Sequence, residues 1–176
     1  MDRLTQLQQW LDSLAEDTYT DLQPASADAS FRQYFRVTNN QDNKTYVVMD
    51  APPEKEDCHP FVLVTDLIRG VGVNAPDIIA IDIQQGFLLL DDLGDSPYLD
   101  HLAEDTADGL YLDAIDALIK MQTIDGILPA YDSQLLQTEL NLFEAWYVNR
   151  HLNTQLNQEQ KASLESIFTL LIKNAE

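Results

Sequence analysis

Cysteine, positive charge and glycine are all scarce in this chain, and each scarcity removes a class of explanation. The 176 residues contain one cysteine, Cys58. That excludes an internal disulfide framework and any cysteine-rich metal site, and it fits a reducing compartment. Only 10 residues are Lys or Arg against 30 Asp or Glu, a formal charge of −20. Such a chain is repelled by phosphate backbones and anionic membrane surfaces, so neither nucleic acid nor membrane is an expected partner. No apolar run approaches the roughly 20 residues that cross a bilayer, and the opening MDRLTQLQQW carries no signal-peptide stretch. Cytoplasm is the expected location. The excess acid itself has two explanations, attraction of a cationic substrate or Mg²⁺ and a merely solvated surface. A hydrophobic share of 45% argues against disorder.

What is present changes texture along the chain. Leu4, Leu7, Trp10, Leu11 and Leu14 recur at helical spacing and predict an amphipathic helix over residues 3–15. FRQYFRV, residues 31–37, alternates with a period of two, placing Phe31, Phe35 and Val37 on one face and Arg32, Tyr34 and Arg36 on the other. NNQDNK then supplies turn residues that tolerate left-handed backbone, and TYVVMD returns, so residues 31–50 read as a hairpin. Pro52-Pro53 stops it. Phe61, Val64, Leu67 and Ile68 predict a helix over 58–69, with Gly70 and Gly72 at its exit. Two short strands, 78–83 and 87–91, flank Gln84-Gln85-Gly86. Beyond Gly94 three stripes predict helices: Leu110 to Met121, Leu135 to Tyr147, and Leu164 to Leu171. GFLLLDDLGDSPYLDHL, residues 86–102, therefore connects a sheet-rich half to a helical half.

The order is that of a protein-kinase-like fold, α+β: a small antiparallel sheet with an inserted helix, then the first helices of an all-helical lobe. ADASFRQYFRV, YVVMDAPPEKEDCHPFV, GVNAPDIIAID, GFLLLDDLGDSPYLDHL and LPAYDSQLLQTELNLFEAWYVNRHL together resemble the aminoglycoside phosphotransferase superfamily. More closely they resemble its bacterial N-acetylmuramate/N-acetylglucosamine anomeric kinase branch. The resemblance implies an ATP-dependent phosphate transfer to a small sugar, with residues 1–90 as the nucleotide-binding lobe, 91–95 as connector and 96–176 as the start of the helical lobe. Members carry an H-x-D-x-x-x-x-N loop and a later Asp; the loop's Asp takes the hydroxyl proton, and its Asn with the later Asp holds Mg²⁺. None of His59, His101 and His151 begins such a loop, so no catalytic residue and no metal ligand is assigned to this chain. The expectation is the front half of an enzyme, inactive alone.

Carried onto these residues, the resemblance implies that adenine pairs with backbone groups of the connector. Asp91 offers its carbonyl, Leu93 its N–H and carbonyl, and Leu90 lines the pocket behind. Side chains Asp91 and Asp92 are left to face solvent or a ribose, and Ser96-Pro97 is read as a helix N-cap and first residue. Over the phosphates, kinases use a Gly-rich turn. Residues 24–32 here hold no glycine, and Ser30 and Arg32, with Ser26 behind them, are the phosphate candidates. Kinases also place a Lys on the third strand; Met49 stands there, as pocket or core packing. Lys44, Arg32, Arg36 or Mg²⁺ remain as substitutes. Glu139, Glu144 and Tyr147, with Trp146 and Arg150 beside them, are candidates for the sugar. Cys58 reads as an inert thiol.

Two rival expectations stand beside this one. The missing glycines and lysine suit a non-catalytic kinase-like interaction module. The apolar stripe of the last helix suits a fragment that aggregates or forms a homodimer through it.

Overall fold

A computed structural model of the chain describes residues 2–14, 19–27, 30–125 and 128–175. It falls into two compact units, Met1–Asp125 and Gly126–Glu176. The first contains α1 (Arg3–Ser13), β1 (Tyr19–Ala27), β2 (Gln33–Asn39), β3 (Thr45–Asp50), α2 (His59–Gly70), β4 (Ile78–Asp82), β5 (Phe87–Asp91), a single 3-10 turn (Tyr98–His101) and α3 (Ala107–Met121). The five strands form one antiparallel sheet in the order β1-β2-β3-β5-β4. The expected α+β class, a small antiparallel sheet with an inserted helix followed by helices, is the architecture found.

Two helices cover the two faces of this sheet. The Asp2 carboxylate accepts the Thr5 N–H at 3.0 Å and caps α1. Leu7, Trp10 and Leu11 of α1 then pack with Phe35, Val37, Val48, Phe87 and Leu89. On the opposite face Met49, Leu88 and Leu90 meet Ala51 and Cys58, with Phe61 and Val62 of α2 against them. β5 is thus enclosed from both sides, and all of Phe87 to Leu90 is buried. That is why FLLL shows no alternation: a strand with two buried faces has no polar face to reveal.

Three expectations are corrected. Residues 24–27, read as part of a phosphate turn, instead end β1, an edge strand. Its period of two is broken by register shifts at Thr20/Gln23 and Pro24/Ser26 and by Asp21 at φ 61°. Pro24 is tolerated there because an edge strand has a side with no ladder to complete. Ser96 caps no α-helix: Pro97 is the cap of the 3-10 turn, and the Ser96 hydroxyl meets His101 Nε2. The first helix ends at Ser13, and Ala15 lies outside the described residues.

In the second unit, α4 (Ser133–Leu142) starts where the Asp132 carboxylate accepts the Leu135 N–H at 2.9 Å. The stripe from Leu135 to Tyr147 predicts one α-helix. The backbone instead widens after Leu142 into a π-helix, Phe143–His151, before α5 (Gln158–Ala175). Val148 and Phe168 are its buried side chains, while Ile167, Leu170 and Leu171 of α5 are exposed. No helix among the described residues is long and apolar enough to cross a membrane.

Gly86 gives the fold a sharp test. It joins β4 to β5 at φ +73°, and an added Cβ would sit 1.9 Å from the Ala51 carbonyl oxygen. Left-handed backbone costs a non-glycine residue roughly 1–3 kcal/mol before any clash. Gly86→Ala should therefore lower the urea midpoint clearly while leaving the slope of unfolding unchanged; a wild-type midpoint would refute the described turn.

Candidate functional site

The end of β5 is shaped by its own two aspartates. Asp91 is tied to the segment entering β4: its carboxylate accepts the Asp77 N–H at 2.6 Å, and its N–H donates to the Asp77 carbonyl at 3.0 Å. Asp92 turns inward. Its carboxylate accepts Arg36 Nε at 2.6 Å and Nη2 at 3.0 Å, the Gly94 N–H at 2.9 Å and the Thr45 hydroxyl. This side chain is only 6% exposed. The Arg36 hydrogen bonds, helped by those from Gly94 and Thr45, outweigh burial and hold its pKa at about 2. Arg36 is correspondingly raised, first by its bonds to Asp92. Gly94, at φ +89°, adopts the left-handed backbone that lets its N–H curl back to the carboxylate. Asp91 is thus engaged through one carboxylate oxygen and Asp92 through both.

With both carboxylates engaged, the peptide between them and the turn stays open. Among the described residues, neither the N–H nor the carbonyl of Leu93 has a hydrogen-bond partner. Beside it lies a cleft of about 460 Å³ walled by Ala25 of β1, Arg36 of β2, Val47 of β3 and the 93–97 segment. An open donor–acceptor edge beside Ala25, Val47 and Pro97 suits a flat heteroaromatic ring with its own donor and acceptor.

At the other end of the sheet, Ser30 Oγ accepts the Arg32 N–H at 3.1 Å. Glu56 accepts the Phe31 N–H at 2.9 Å and lies 3.3 Å from Arg32 Nε, without the alignment of a hydrogen bond. The Arg32 guanidinium is 5.9 Å from the Phe61 ring. Ser26 pairs with Tyr34 through its backbone position in β1; its side chain lies outside the described residues. Met49 is fully buried in the α2-side core and faces no cleft, and Leu90 belongs to the same cluster. Lys44 sits in the β2–β3 turn, 3.7 Å from Asp42. Burial raises the Cys58 thiol pKa, which keeps it protonated and unreactive. Among the described residues no three His, Cys, Asp or Glu side chains are grouped to hold a metal ion.

The sugar candidates are held by separate contacts. Glu139 accepts from the Tyr131 hydroxyl, and Glu144 pairs with Lys161 Nζ at 2.6 Å. Tyr147 stacks between Phe143 and His151, with centroids 5.4 Å away on each side, and the Arg150 guanidinium lies 4.1 Å from the Trp146 ring centroid. The π-helical turn stacks Phe143, Tyr147 and His151, four apart, in one column; the stripe in the sequence placed Phe143 and Tyr147 on one face but gave no sign of the widening. No described hydrogen bond or ring contact links Glu139, Glu144 and Tyr147. Reasoning from sequence missed the Arg36–Asp92 pair and Glu56; opposite charges on β2 and the connector were a usable signal for the first, and nothing signalled the second.

This sheet order, with α2 inserted between β3 and β4 and helices after β5, is that of a kinase-like sheet lobe. Residues 21–176 match the Phosphotransferase enzyme family, and the chain belongs to it. An N-acetylmuramate/N-acetylglucosamine kinase of Pseudomonas aeruginosa is 46% identical over 185 aligned positions, covering 98% of this chain and 54% of that protein. Proteins of the same name from Pseudomonas putida and Neisseria meningitidis are 45% and 35% identical, over 98% and 92% of this chain and 54% and 49% of theirs. The chain spans about half the length of these curated relatives.

Titration isolates the connector tie. Asp92 has a folded-state pKa of about 2, below its usual 3.8, so its stabilisation is complete above about pH 4 and is lost as pH falls toward 2. Asp92→Asn should lower the urea midpoint at pH 7 and flatten its fall between pH 4 and pH 2. An equally steep fall in the variant would contradict the pairing.

Proposed function

We propose that this chain is the nucleotide-binding part of an ATP-dependent phosphotransferase whose acceptor is a small amino sugar. Residues 1–90 form the nucleotide lobe, 91–95 the connector and 96–176 the beginning of the helical lobe. The observation that carries this is the open Leu93 peptide beside its cleft. Adenine N1 accepts the Leu93 N–H, and the exocyclic amine donates to the Asp91 carbonyl. Leu90 and Met49 form the apolar backing behind the walls, and the phosphates run toward Ser30 and Arg32, with Ser26 behind them at the end of β1. Glu139, Glu144 and Tyr147 are assigned to the sugar, since carboxylates bond hydroxyls and an aromatic face stacks on a pyranose.

Phosphoryl transfer depends mainly on positioning and on charge stabilisation. This chain contributes the positioning of ATP. The carboxylate that takes the hydroxyl proton, and the ligands for Mg²⁺, are assigned to the half of the relatives that it does not span. Purified alone, it should bind ATP and consume none with N-acetylmuramate or N-acetylglucosamine.

Calorimetry tests the reading directly. ATP should bind, and an N1-methylated ATP, which cannot accept at N1, should bind at least tenfold more weakly because a desolvated donor is left unpaired. Equal affinity for the two would overturn the connector assignment. The rival reading, a non-catalytic kinase-like module, predicts no ATP binding together with stable self-association in sedimentation.

A further inference from the structure

The buried Met49 leaves the third strand without the cation that this class of enzyme usually sets against a polyphosphate. A second cleft, of about 580 Å³, lies at the end of the sheet away from the connector, where Asp50 pairs with Gln33 and Phe87. It draws together Arg3, Arg32 and Lys55, three of only ten basic residues in a chain of charge −20. Ser30 and Phe31 of the β1–β2 turn line it too.

These cations are differently employed. Arg3 is bound to the buried Asp50 carboxylate, donates to the Gln85 carbonyl at 2.8 Å and lies 4.3 Å from the Phe87 ring centroid. It fastens α1 to the sheet. Arg32 is half committed, beside Glu56 without an aligned hydrogen bond. Lys55 makes no ion pair among the described residues; its Nζ stands 4.7 Å from the Phe31 ring centroid. Neighbouring residues of opposite charge therefore grip one turn. Glu56 takes the Phe31 N–H, and Lys55 lies on the Phe31 ring. A weak cation–π contact at an exposed ring positions the ammonium without satisfying its three donors.

We propose that Lys55, assisted by Arg32, is the residue that receives the polyphosphate, replacing from the Pro52–Asp57 loop the charge that Met49 cannot supply. The inference rests on the nucleotide reading above. A flexible ammonium is suited to this, because it binds phosphate as a point charge and needs no fixed fork geometry.

Binding of three probes to the full 176-residue chain separates the two ideas. ATP, adenosine and inorganic tripolyphosphate are titrated against the unaltered protein, Lys55→Met and Lys55→Arg, with circular dichroism confirming the fold of each. Lys55→Met should weaken ATP and tripolyphosphate by roughly tenfold or more, the scale of one charge-assisted contact, and leave adenosine unchanged. Lys55→Arg should stay close to the unaltered protein. Unchanged ATP and tripolyphosphate affinity in Lys55→Met, with adenosine still bound, would overturn the role of Lys55 and spare the connector reading. Failure of the unaltered chain to bind either ATP or adenosine would overturn both.

Discussion

The Arg36–Asp92 pair is the constraint on which the geometry of the connector depends. A bidentate guanidinium–carboxylate contact fixes both distance and plane. Here it joins the middle of β2 to the first residue after β5, across the intervening β3. The carboxylate side chain is drawn under the chain, Gly94 folds back onto it, and the Leu93 peptide is turned outward with its hydrogen-bonding capacity intact. Without that tie, Asp92 would be free to bond the neighbouring N–H groups in several ways, as Asp does at turns. A preorganised edge would become a floppy one, and binding would then carry the cost of ordering it.

Much of this fold was legible, for identifiable reasons. β2 announces itself because its alternation separates the face under α1 from the face under α2, and β3 follows as the strand returning from the NNQDNK turn. α2 was legible in part: Phe61 of its stripe reaches the sheet, while Val64 is exposed and Val62, outside the stripe, packs there instead. β1 was not legible: two register irregularities and a left-handed Asp21 destroy the period that would have disclosed it. The π-helix was hidden for a different reason. Residues spaced by four serve an α-helix and a wider helix almost equally well on paper, so Phe143, Tyr147 and His151 look like an ordinary stripe until the backbone is seen to stack them.

The site divides along the same line. The turn that leaves the Leu93 peptide open was foreshadowed by the abrupt change from FLLL to DDLG, where a buried strand surrenders to a turn. The roles of the charged side chains were not visible, because pairing across a sheet is a property of register and not of neighbourhood in sequence. Arg36 and Asp92 are 56 positions apart. Met49 is sealed between the sheet and α2. Its full burial follows from Ala51, Cys58, Leu88 and Leu90 closing around it. A core position of that kind can be read as apolar from sequence.

The irregularities of β1 have a use of their own. An outermost strand offers its unpaired amides and carbonyls to any extended polypeptide that drifts alongside, which is how sheets zip together into aggregates. A bulged border containing Pro24, which has no amide hydrogen, gives such an intruder no continuous run to match. The kinks that concealed this strand from inspection also discourage it from recruiting strangers.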